Sequence, residues 1–286
     1  MELTVPGTVI SYGNLSEDKY PGGTDDPSFV KRILCEGDSW FSIGAIPSSN
    51  LLFRLMFAQT TLVYNLATPG DTIRNMSDIC KNAQLKRLIV DDNFATQWDA
   101  IFISGGGNDL IDALLNIICK PSIGAGENFL DYINQIEMAE LKVNIQKGYK
   151  LIAGLRDKSK KNANTPIITH IYDYPTPRDA AAKFVGIGFK GPWLYTALSR
   201  AGVDPKFWVS ISDYLFEWLG GVLIELGSMI NNFHVVSNTK NTLMPARLNA
   251  TGQSGDWLNE IHPTATGYKK LADVISPELN LLLNPV

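Results

Sequence analysis

The sequence predicts an α/β fold in which helices cover both faces of a parallel sheet. Five apolar runs of strand length stand out, and several of them are almost continuously apolar, as expected for strands that are buried on both faces. A helical pattern follows each run, and repeated strand–helix units imply parallel strands joined by right-handed crossovers. The five predicted strands are Arg32–Glu36, Thr61–Leu66, Ala100–Ser104, Pro166–Tyr172 and Asn232–Ser237.

The helices between the strands are predicted from apolar periodicity and from the residues at their ends. Asp71–Cys80 begins with a good N-cap residue, and Asp109–Cys119 carries apolar residues at helical spacing. Leu130–Lys158 is amphipathic and ends in basic residues, which suits the negative end of the helix dipole. Further helices are predicted over Ser48–Phe57, Phe207–Ile230 and Thr264–Leu283.

The length of 286 residues and the ordinary composition predict a single domain over residues 1–286. Two segments lie outside the strand–helix pattern. Residues 1–30 are rich in turns and are expected to wrap the surface of the sheet. Residues 173–205 form an aromatic-rich insertion after the fourth strand, far longer than the roughly two to six residues of an ordinary connection. The insertion is expected to be either a lid or binding loop, or a minihelix that only caps the core.

Charge and motifs disfavour several classes of function. A net charge of −4 and the lack of a long Lys/Arg-rich stretch argue against a nucleic-acid surface. The sequence shows no apolar run of the roughly 18 residues that span a membrane, and no signal-peptide pattern, so we expect a cytoplasmic protein. The cysteines Cys35, Cys80 and Cys119 are odd in number and lie in apolar runs, which predicts buried free thiols rather than a disulfide or a zinc site.

Four short segments carry the residue types of an acyl-transfer site. Gly37-Asp38-Ser39-Trp40 and Gly107-Asn108-Asp109 follow strand runs, Gly70 lies in the turn after another run, and His262 lies near the C-terminus. Because the carboxyl ends of parallel strands meet at one edge of the sheet, where ligands bind, we expect these segments to converge there. A serine, two oxyanion donors and a histidine are the groups that acyl transfer requires.

Each of the three strand-end segments also has an ordinary structural interpretation. Ser39 fits a turn or a helix N-cap, and Asn108 fits the cap of the helix that follows it. Gly70 fits a Pro-Gly turn that needs no functional reason. The order and placement of the segments, rather than any one of them, indicate a site.

The three histidines are distinguished by their surroundings. His170 and His234 lie within predicted strands, where a structural histidine of the core is expected. His262 lies in a polar loop before the last helix. It is therefore the histidine expected to act as a base near neutral pH.

In their order and spacing, these four segments resemble the GDSL/SGNH hydrolase family. The resemblance implies a three-layer α/β/α, flavodoxin-like domain with a five-stranded parallel sheet. It also implies a serine esterase, lipase or deacetylase that uses no metal or organic cofactor. By the same resemblance, Ser39 is the nucleophile and His262 the general base. The Ser39 amide, the Gly70 amide and the Asn108 side chain then form the oxyanion hole.

One position departs from the family pattern. The family usually has an aspartate three residues before the histidine, and Asn259 occupies that position here. A triad carboxylate orients the histidine and stabilises the imidazolium, although an asparagine oxygen can also orient the ring. By position we expect Asn259 to orient His262. Asp256 is the alternative if the loop folds back.

Together these observations predict a serine hydrolase that cleaves a small-molecule carboxylic ester through an acyl-enzyme on Ser39. The aromatic residues Trp40, Tyr174, Phe189 and Trp193 are predicted to contact the substrate. One alternative is a catalytically impaired binding module of the same fold, which the asparagine at the triad position favours. A flavin- or nucleotide-binding protein is a weaker alternative that rests on the sheet alone. The sequence does not indicate the oligomeric state.

Overall fold

A computed structural model describes residues 2–42, 49–122, 125–184 and 188–284. Its central feature is a six-stranded parallel sheet. The strands are β2 (Thr8–Ser11), β3 (Lys31–Gly37), β5 (Thr61–Asn65), β6 (Ala100–Ser104), β7 (Ile167–His170) and β10 (Phe233–Val236). Their order across the sheet is β10-β7-β6-β3-β5-β2, and every neighbouring pair is parallel.

Two small antiparallel pairs accompany the sheet. They join β1 (Val5–Pro6) to β4 (Met56–Phe57), and β8 (Ala182–Phe184) to β9 (Gly188–Lys190). The helices are α1 (Ser39–Ser42), α2 (Ile73–Met76), α3 (Ala83–Val90), α4 (Gly107–Ile117), α5 (Gln135–Asp157), α6 (Leu194–Ala201), α7 (Trp208–Met229) and α8 (Ala265–Leu283). Single 3-10 turns occur at Gly23–Asp25, Leu52–Arg54, Phe129–Tyr132 and Pro205–Phe207.

The hydrophobic core lies against both faces of the sheet. Every residue of β5, β6 and β7 is buried, so side chains pointing to either face are covered. Helices α2, α3, α4 and α7 pack on α5, whereas α8 packs on β4 and the Leu52–Arg54 turn. The predicted α/β class, with its parallel central sheet, is confirmed.

The sheet has one more strand than the five predicted. Each predicted run contains a strand, and the sixth, Thr8–Ser11, pairs with Leu62–Asn65 at one edge. It lies within residues 1–30, the segment expected to wrap the surface of the sheet. A four-residue, partly exposed edge strand lacks the apolar run that marks a central strand, so the periodicity gives no signal for it.

The prediction of a helix over Ser48–Phe57 is wrong for the residues that the structure describes. Ser48 lies outside the described residues, Leu52–Arg54 is a 3-10 turn, and Met56–Phe57 is a strand. The strand pairs with Val5–Pro6, a partner far away in the sequence. Tertiary pairing therefore overrides the local apolar pattern here.

Two further helices differ from their predicted bounds by more than two residues at one end. The helix predicted over Asp71–Cys80 ends at Met76. Cys80 therefore lies in an exposed turn, and its predicted burial is wrong; Cys35 is buried, Cys119 is partly exposed, and all three thiols are free. The long helix begins at Gln135 rather than Leu130, because the Asn134 side chain caps its N-terminus.

One helical segment, Pro205–Met229, is long and apolar enough to cross a membrane by length and composition. In the structure this segment packs on α5 and β10, and 44% of its most apolar window is buried inside the molecule. A core helix of a globular domain has the same properties. The cytoplasmic location stays a prediction.

Candidate active site

The turn after β3 holds Ser39 at the carboxyl edge of the sheet. The Asp38 amide donates to the Ser104 carbonyl oxygen at the end of β6, over 3.1 Å. The Asp38 carboxylate then accepts the Trp40 amide at 2.9 Å, which closes the turn. A Cβ at Gly37 would lie 2.9 Å from Ser104, so only glycine fits between the two strand ends. Ser39 begins α1 from this fixed turn.

The loop that carries His262 reaches the same place from the other end of the chain. The Ser39 hydroxyl Oγ lies 2.9 Å from His262 Nε2. On the other side of the ring, His262 Nδ1 lies 2.9 Å from Asn259 Oδ1. The three side chains thus form a continuous hydrogen-bonded chain, and His262 is only 3% exposed.

The surroundings of Asn259 identify the tautomer of His262. Asn259 Oδ1 accepts the backbone N–H groups of His262, at 3.0 Å, and Ile261, at 3.2 Å. An atom that accepts two N–H groups must be the amide oxygen, not the amide nitrogen. His262 Nδ1 therefore carries the ring proton and donates it to the same oxygen. This leaves Nε2 with a lone pair that accepts the Ser39 hydroxyl.

Burial keeps His262 neutral. It lowers the pKa of His262 to about 4, because the imidazolium would lose its hydration. At neutral pH the ring is therefore in the form that accepts a proton.

Asp256 is held by groups other than the histidine ring. Its carboxylate oxygen Oδ2 accepts Lys270 Nζ at 2.6 Å and the Met244 amide at 2.7 Å. Partial burial raises the pKa of Asp256, but the hydrogen bonds from Lys270 and Met244 outweigh this and leave it below its usual value. Between the two candidates, the structure brings Asn259 to the ring of His262.

The predicted oxyanion donors line one cleft with the serine and the histidine. The cleft has a volume of about 240 Å³, and its lining includes Ser39, Gly70, Asn108 and His262. Asn108 Nδ2 donates one hydrogen to the Asp71 carbonyl oxygen over 2.9 Å. That bond fixes the side chain and leaves the second N–H for a ligand.

The loop of Gly70 is tied to the neighbouring segments. The Thr68 amide donates to the Gly37 carbonyl oxygen over 3.0 Å, which brings the loop beside the serine turn. Asp109 Oδ2 accepts the Ile73 amide at 2.8 Å and joins α4 to α2 behind the loop. Gly70 itself has φ +82°, a conformation that favours glycine.

Two of the four predicted aromatic contacts lie at the site. Trp193 lines the cleft, and its ring lies edge-to-face with His262 at 6.1 Å between centroids. Trp40 is buried, and its Nε1 donates to the Ile261 carbonyl oxygen over 3.2 Å, which ties the serine turn to the histidine loop. Trp40 thus has a structural contact in addition to any contact with substrate.

The other two predicted aromatic residues lie elsewhere. The Tyr174 hydroxyl donates to Glu217 on α7, with Lys240 over its ring, and Tyr174 is not among the described lining of the cleft. Phe189 is 70% exposed and contacts Lys183 in its own hairpin, and it is its neighbour Lys190 that lines the cleft. Side-chain alternation along β9 explains this, because successive residues point to opposite faces.

Sequence reasoning missed a buried polar network beneath the serine. Asp38 accepts the Tyr172 hydroxyl at 2.5 Å and the Ser104 hydroxyl at 2.9 Å. His170 Nε2 lies 3.1 Å from the same Ser104 hydroxyl, so His170 is a core histidine as predicted. Burial raises the pKa of Asp38 to about 6, although three donors stabilise its carboxylate.

A second missed feature connects the histidine loop to the insertion. Glu260 accepts the backbone N–H groups of Arg178 and of residues 193–195, which cap the start of α6. In the opposite direction, Arg178 Nη2 donates to the carbonyl oxygens of Asn259, at 2.6 Å, and Trp257. Burial raises the pKa of Glu260 to about 7. Hydrogen bonds between residues that are 82 positions apart leave no local sequence signal.

Metal ligation has no support in the described part of the chain. Over residues 2–42, 49–122, 125–184 and 188–284, no three His, Cys, Asp or Glu side chains form a group that could hold a metal ion.

A family model described as GDSL-like Lipase/Acylhydrolase matches residues 36–174. The match contains the serine turn, the Gly70 loop and the Asn108 segment, in the order found in the structure. Over these residues the chain is similar to the GDSL-like lipases and acylhydrolases. The predicted class, an ester hydrolase, is confirmed by this similarity. The matched region ends before His262, so the contact of His262 with Ser39 comes from the structure alone.

Several solved structures resemble the fold at low identity. A carbohydrate acetylesterase family member from Sinorhizobium meliloti shares 13% identity, with a TM-score of 0.47, over 89% of this chain and 99% of its own. A carbohydrate esterase family 3 protein from Talaromyces cellulolyticus shares 13% identity, with a TM-score of 0.45, over 90% of this chain and 100% of its own. An aryl esterase from M. smegmatis shares 14% identity, with a TM-score of 0.44, over 88% of this chain and 100% of its own. No curated protein sequence matches the chain significantly.

Proposed function

We propose that this ester hydrolase cleaves small-molecule carboxylic esters through an acyl-enzyme on Ser39. The observation that carries the proposal is the hydrogen-bonded chain from Ser39 Oγ through His262 to Asn259 Oδ1. A serine within hydrogen-bond reach of a neutral, oriented histidine is the arrangement that activates a hydroxyl nucleophile.

The acylation step follows from these distances. Ser39 Oγ attacks the ester carbonyl carbon while its proton passes to His262 Nε2 over the 2.9 Å hydrogen bond. The carbonyl oxygen becomes an oxyanion, which the N–H groups of Ser39 and Gly70 and the Asn108 side chain stabilise. His262 then gives the proton to the departing alcohol oxygen.

Deacylation repeats the sequence with water. His262 takes a proton from the water that attacks the acyl carbon, and returns it to Ser39 Oγ as the acid leaves. Asn259 keeps His262 in the required tautomer throughout. Because Asn259 carries no charge, it stabilises the imidazolium of His262 less than a carboxylate would. The maximal rate of hydrolysis is therefore expected to be lower than with an aspartate at this position.

A burst experiment tests the proposal. p-Nitrophenyl acetate in large excess over the enzyme should release about one p-nitrophenol per active site before the steady state, as an acyl-enzyme that is hydrolysed more slowly than it forms requires. Ser39→Ala should abolish both the burst and the turnover. Ser42→Ala is the matched control, because Ser42 lies in the same short helix and donates to the Asp38 carbonyl oxygen. A burst that survives in Ser39→Ala would contradict the proposed nucleophile.

The alternative of an impaired binding module is favoured by one observation, the uncharged side chain at Asn259. It predicts a folded protein that binds an ester without a burst and without turnover. The same experiment distinguishes the two, because binding without release of p-nitrophenol is the result that this alternative requires.

A further inference from the structure

Two pockets of different size meet at Ser39. One is the cleft of about 240 Å³, whose lining includes His262, Trp193 and Lys190. The other has a volume of about 20 Å³, and its lining includes Ser39, Asn108 and Phe216 but not His262. Ser39 and Asn108 line both, so an ester carbonyl held at Ser39 has one substituent toward each pocket.

The position of His262 decides which half of the ester enters which pocket. In the proposed mechanism His262 Nε2 must reach the alcohol oxygen in order to protonate it. The alcohol half therefore lies on the side lined by His262, which is the larger cleft. Because the oxyanion and Ser39 Oγ take two further directions around the carbonyl carbon, the acyl chain is directed toward the smaller pocket.

The smaller pocket has room for very little. A volume of about 20 Å³ holds about one water-sized group, which corresponds to a single methyl. Its walls are held by packing: Phe216 and Ile111 are buried, and Tyr172 is fixed by its hydrogen bond to Asp38. A well-packed wall of this kind does not make space for a long chain without cost.

We propose that the protein is selective for acetyl esters of larger alcohols. The acetyl methyl lies in the smaller pocket, beside Phe216, and the alcohol lies in the larger cleft, beside His262. This inference rests on the proposed function. In acylation the bond from Ser39 Oγ to the acetyl carbon forms, and the bond from that carbon to the alcohol oxygen breaks. The alcohol leaves with the proton that Ser39 gave up to His262, and water later releases acetate.

A series of p-nitrophenyl esters tests the selectivity, since the alcohol stays constant while the acyl chain grows from acetate through butyrate to octanoate. We expect kcat/KM to be highest for acetate and at least 100-fold lower for octanoate. An octanoate value equal to or above the acetate value would overturn the inference.

Enlarging the smaller pocket should shift this preference. Phe216→Ala removes one wall and is expected to raise the butyrate-to-acetate ratio of kcat/KM at least tenfold. Ile224→Ala on the same helix is the matched control, because Ile224 is 51% exposed and its loss should leave the ratio unchanged. If Phe216→Ala does not fold, Phe216→Val shortens the same wall and should raise the ratio in the same direction by a smaller factor. A ratio that stays unchanged in a folded Phe216→Ala or Phe216→Val protein would overturn the assignment of the pocket.

The two proposals fail in different ways. If the proposed function is wrong, no ester of the series is hydrolysed and a small fluorophosphonate leaves the mass of the protein unchanged, and the inference fails with it. If only the inference is wrong, the fluorophosphonate adds to Ser39 and the esters are hydrolysed without a preference for acetate.

Discussion

Replacing Asn259 with alanine is expected to lower kcat/KM for ester hydrolysis about 100-fold while Ser39 stays intact. The substitution removes one oxygen that accepts three N–H groups: the ring Nδ1 of His262 and the backbone amides of His262 and Ile261. Without this oxygen, His262 Nδ1 loses the acceptor that selects the tautomer in which Nε2 is the acceptor.

The magnitude follows from these three bonds. Each neutral hydrogen bond contributes about 1 kcal/mol, so the loss of all three costs the catalytic arrangement about 3 kcal/mol. At about 1.4 kcal/mol for each factor of ten, this corresponds to roughly 100-fold in rate. The loss should stay below the roughly 10,000-fold that follows when a charged triad aspartate becomes asparagine, because Asn259 contributes orientation without charge.

The assay compares kcat/KM for p-nitrophenyl acetate across three variants. Asn259→Ala should be about 100-fold slower than the wild type. Asn259→Asp keeps an acceptor for all three N–H groups and adds a charge that stabilises the imidazolium, so it should match or exceed the wild type at pH 8 and show a higher pKa on the acid limb. Asp256→Asn should stay within about threefold, because Asp256 contacts Lys270 and Met244 instead.

One pattern of results would refute this reasoning. If folded Asn259→Ala kept at least a third of the wild-type activity while Asp256→Asn lost it, Asp256 would orient His262. Circular dichroism and the urea midpoint of each variant establish whether the fold is retained.

Three further predictions concern the base, the oxyanion hole and the insertion. Because burial lowers the pKa of His262 to about 4, its neutral form persists into acid. A pH-stat profile of kcat/KM should therefore reach its half-maximum near pH 4, and a half-maximum near 6.5 would contradict the burial argument. Asn108→Ala should lower kcat about 100- to 1,000-fold with little change in stability, and a change below fivefold would remove Asn108 from the oxyanion hole. Glu260→Gln places an amide N–H₂ against two of the four backbone N–H groups that Glu260 accepts, so the free energy of unfolding in urea should fall by about 2–6 kcal/mol. A fall below 1 kcal/mol would show that Glu260 does not hold the insertion.

The central strands and the segments that follow them were predictable, because an apolar run and the turn after it can both be recognised from neighbouring residues. The run Ala100–Ser104 is apolar at its first four positions, and all five residues are buried, as expected of a strand covered on both faces. Parallel strands place their carboxyl ends at one edge, so Ser39 and Asn108 could be expected in one site without coordinates. The edge strand Thr8–Ser11 is partly exposed and has no such run.

The contacts that complete the site were not predictable, because they join residues far apart in the sequence. Glu260 meets the start of α6 more than 60 positions away, and neither side carries a motif. The choice between Asn259 and Asp256 depends on how one loop folds, which a spacing of three residues cannot reveal. Aromatic content alone likewise could not separate Trp193, which lines the cleft, from Tyr174, which packs toward α7.

The most direct test of the account is the intact mass of the protein after treatment with a fluorophosphonate, because this reagent reacts far faster with an activated serine than with an ordinary hydroxyl. The account predicts one adduct on the wild type and on Ser42→Ala, and none on Ser39→Ala. An unmodified wild-type protein with its fold intact, or an adduct that persists on Ser39→Ala, would contradict the claim that His262 and Asn259 activate Ser39.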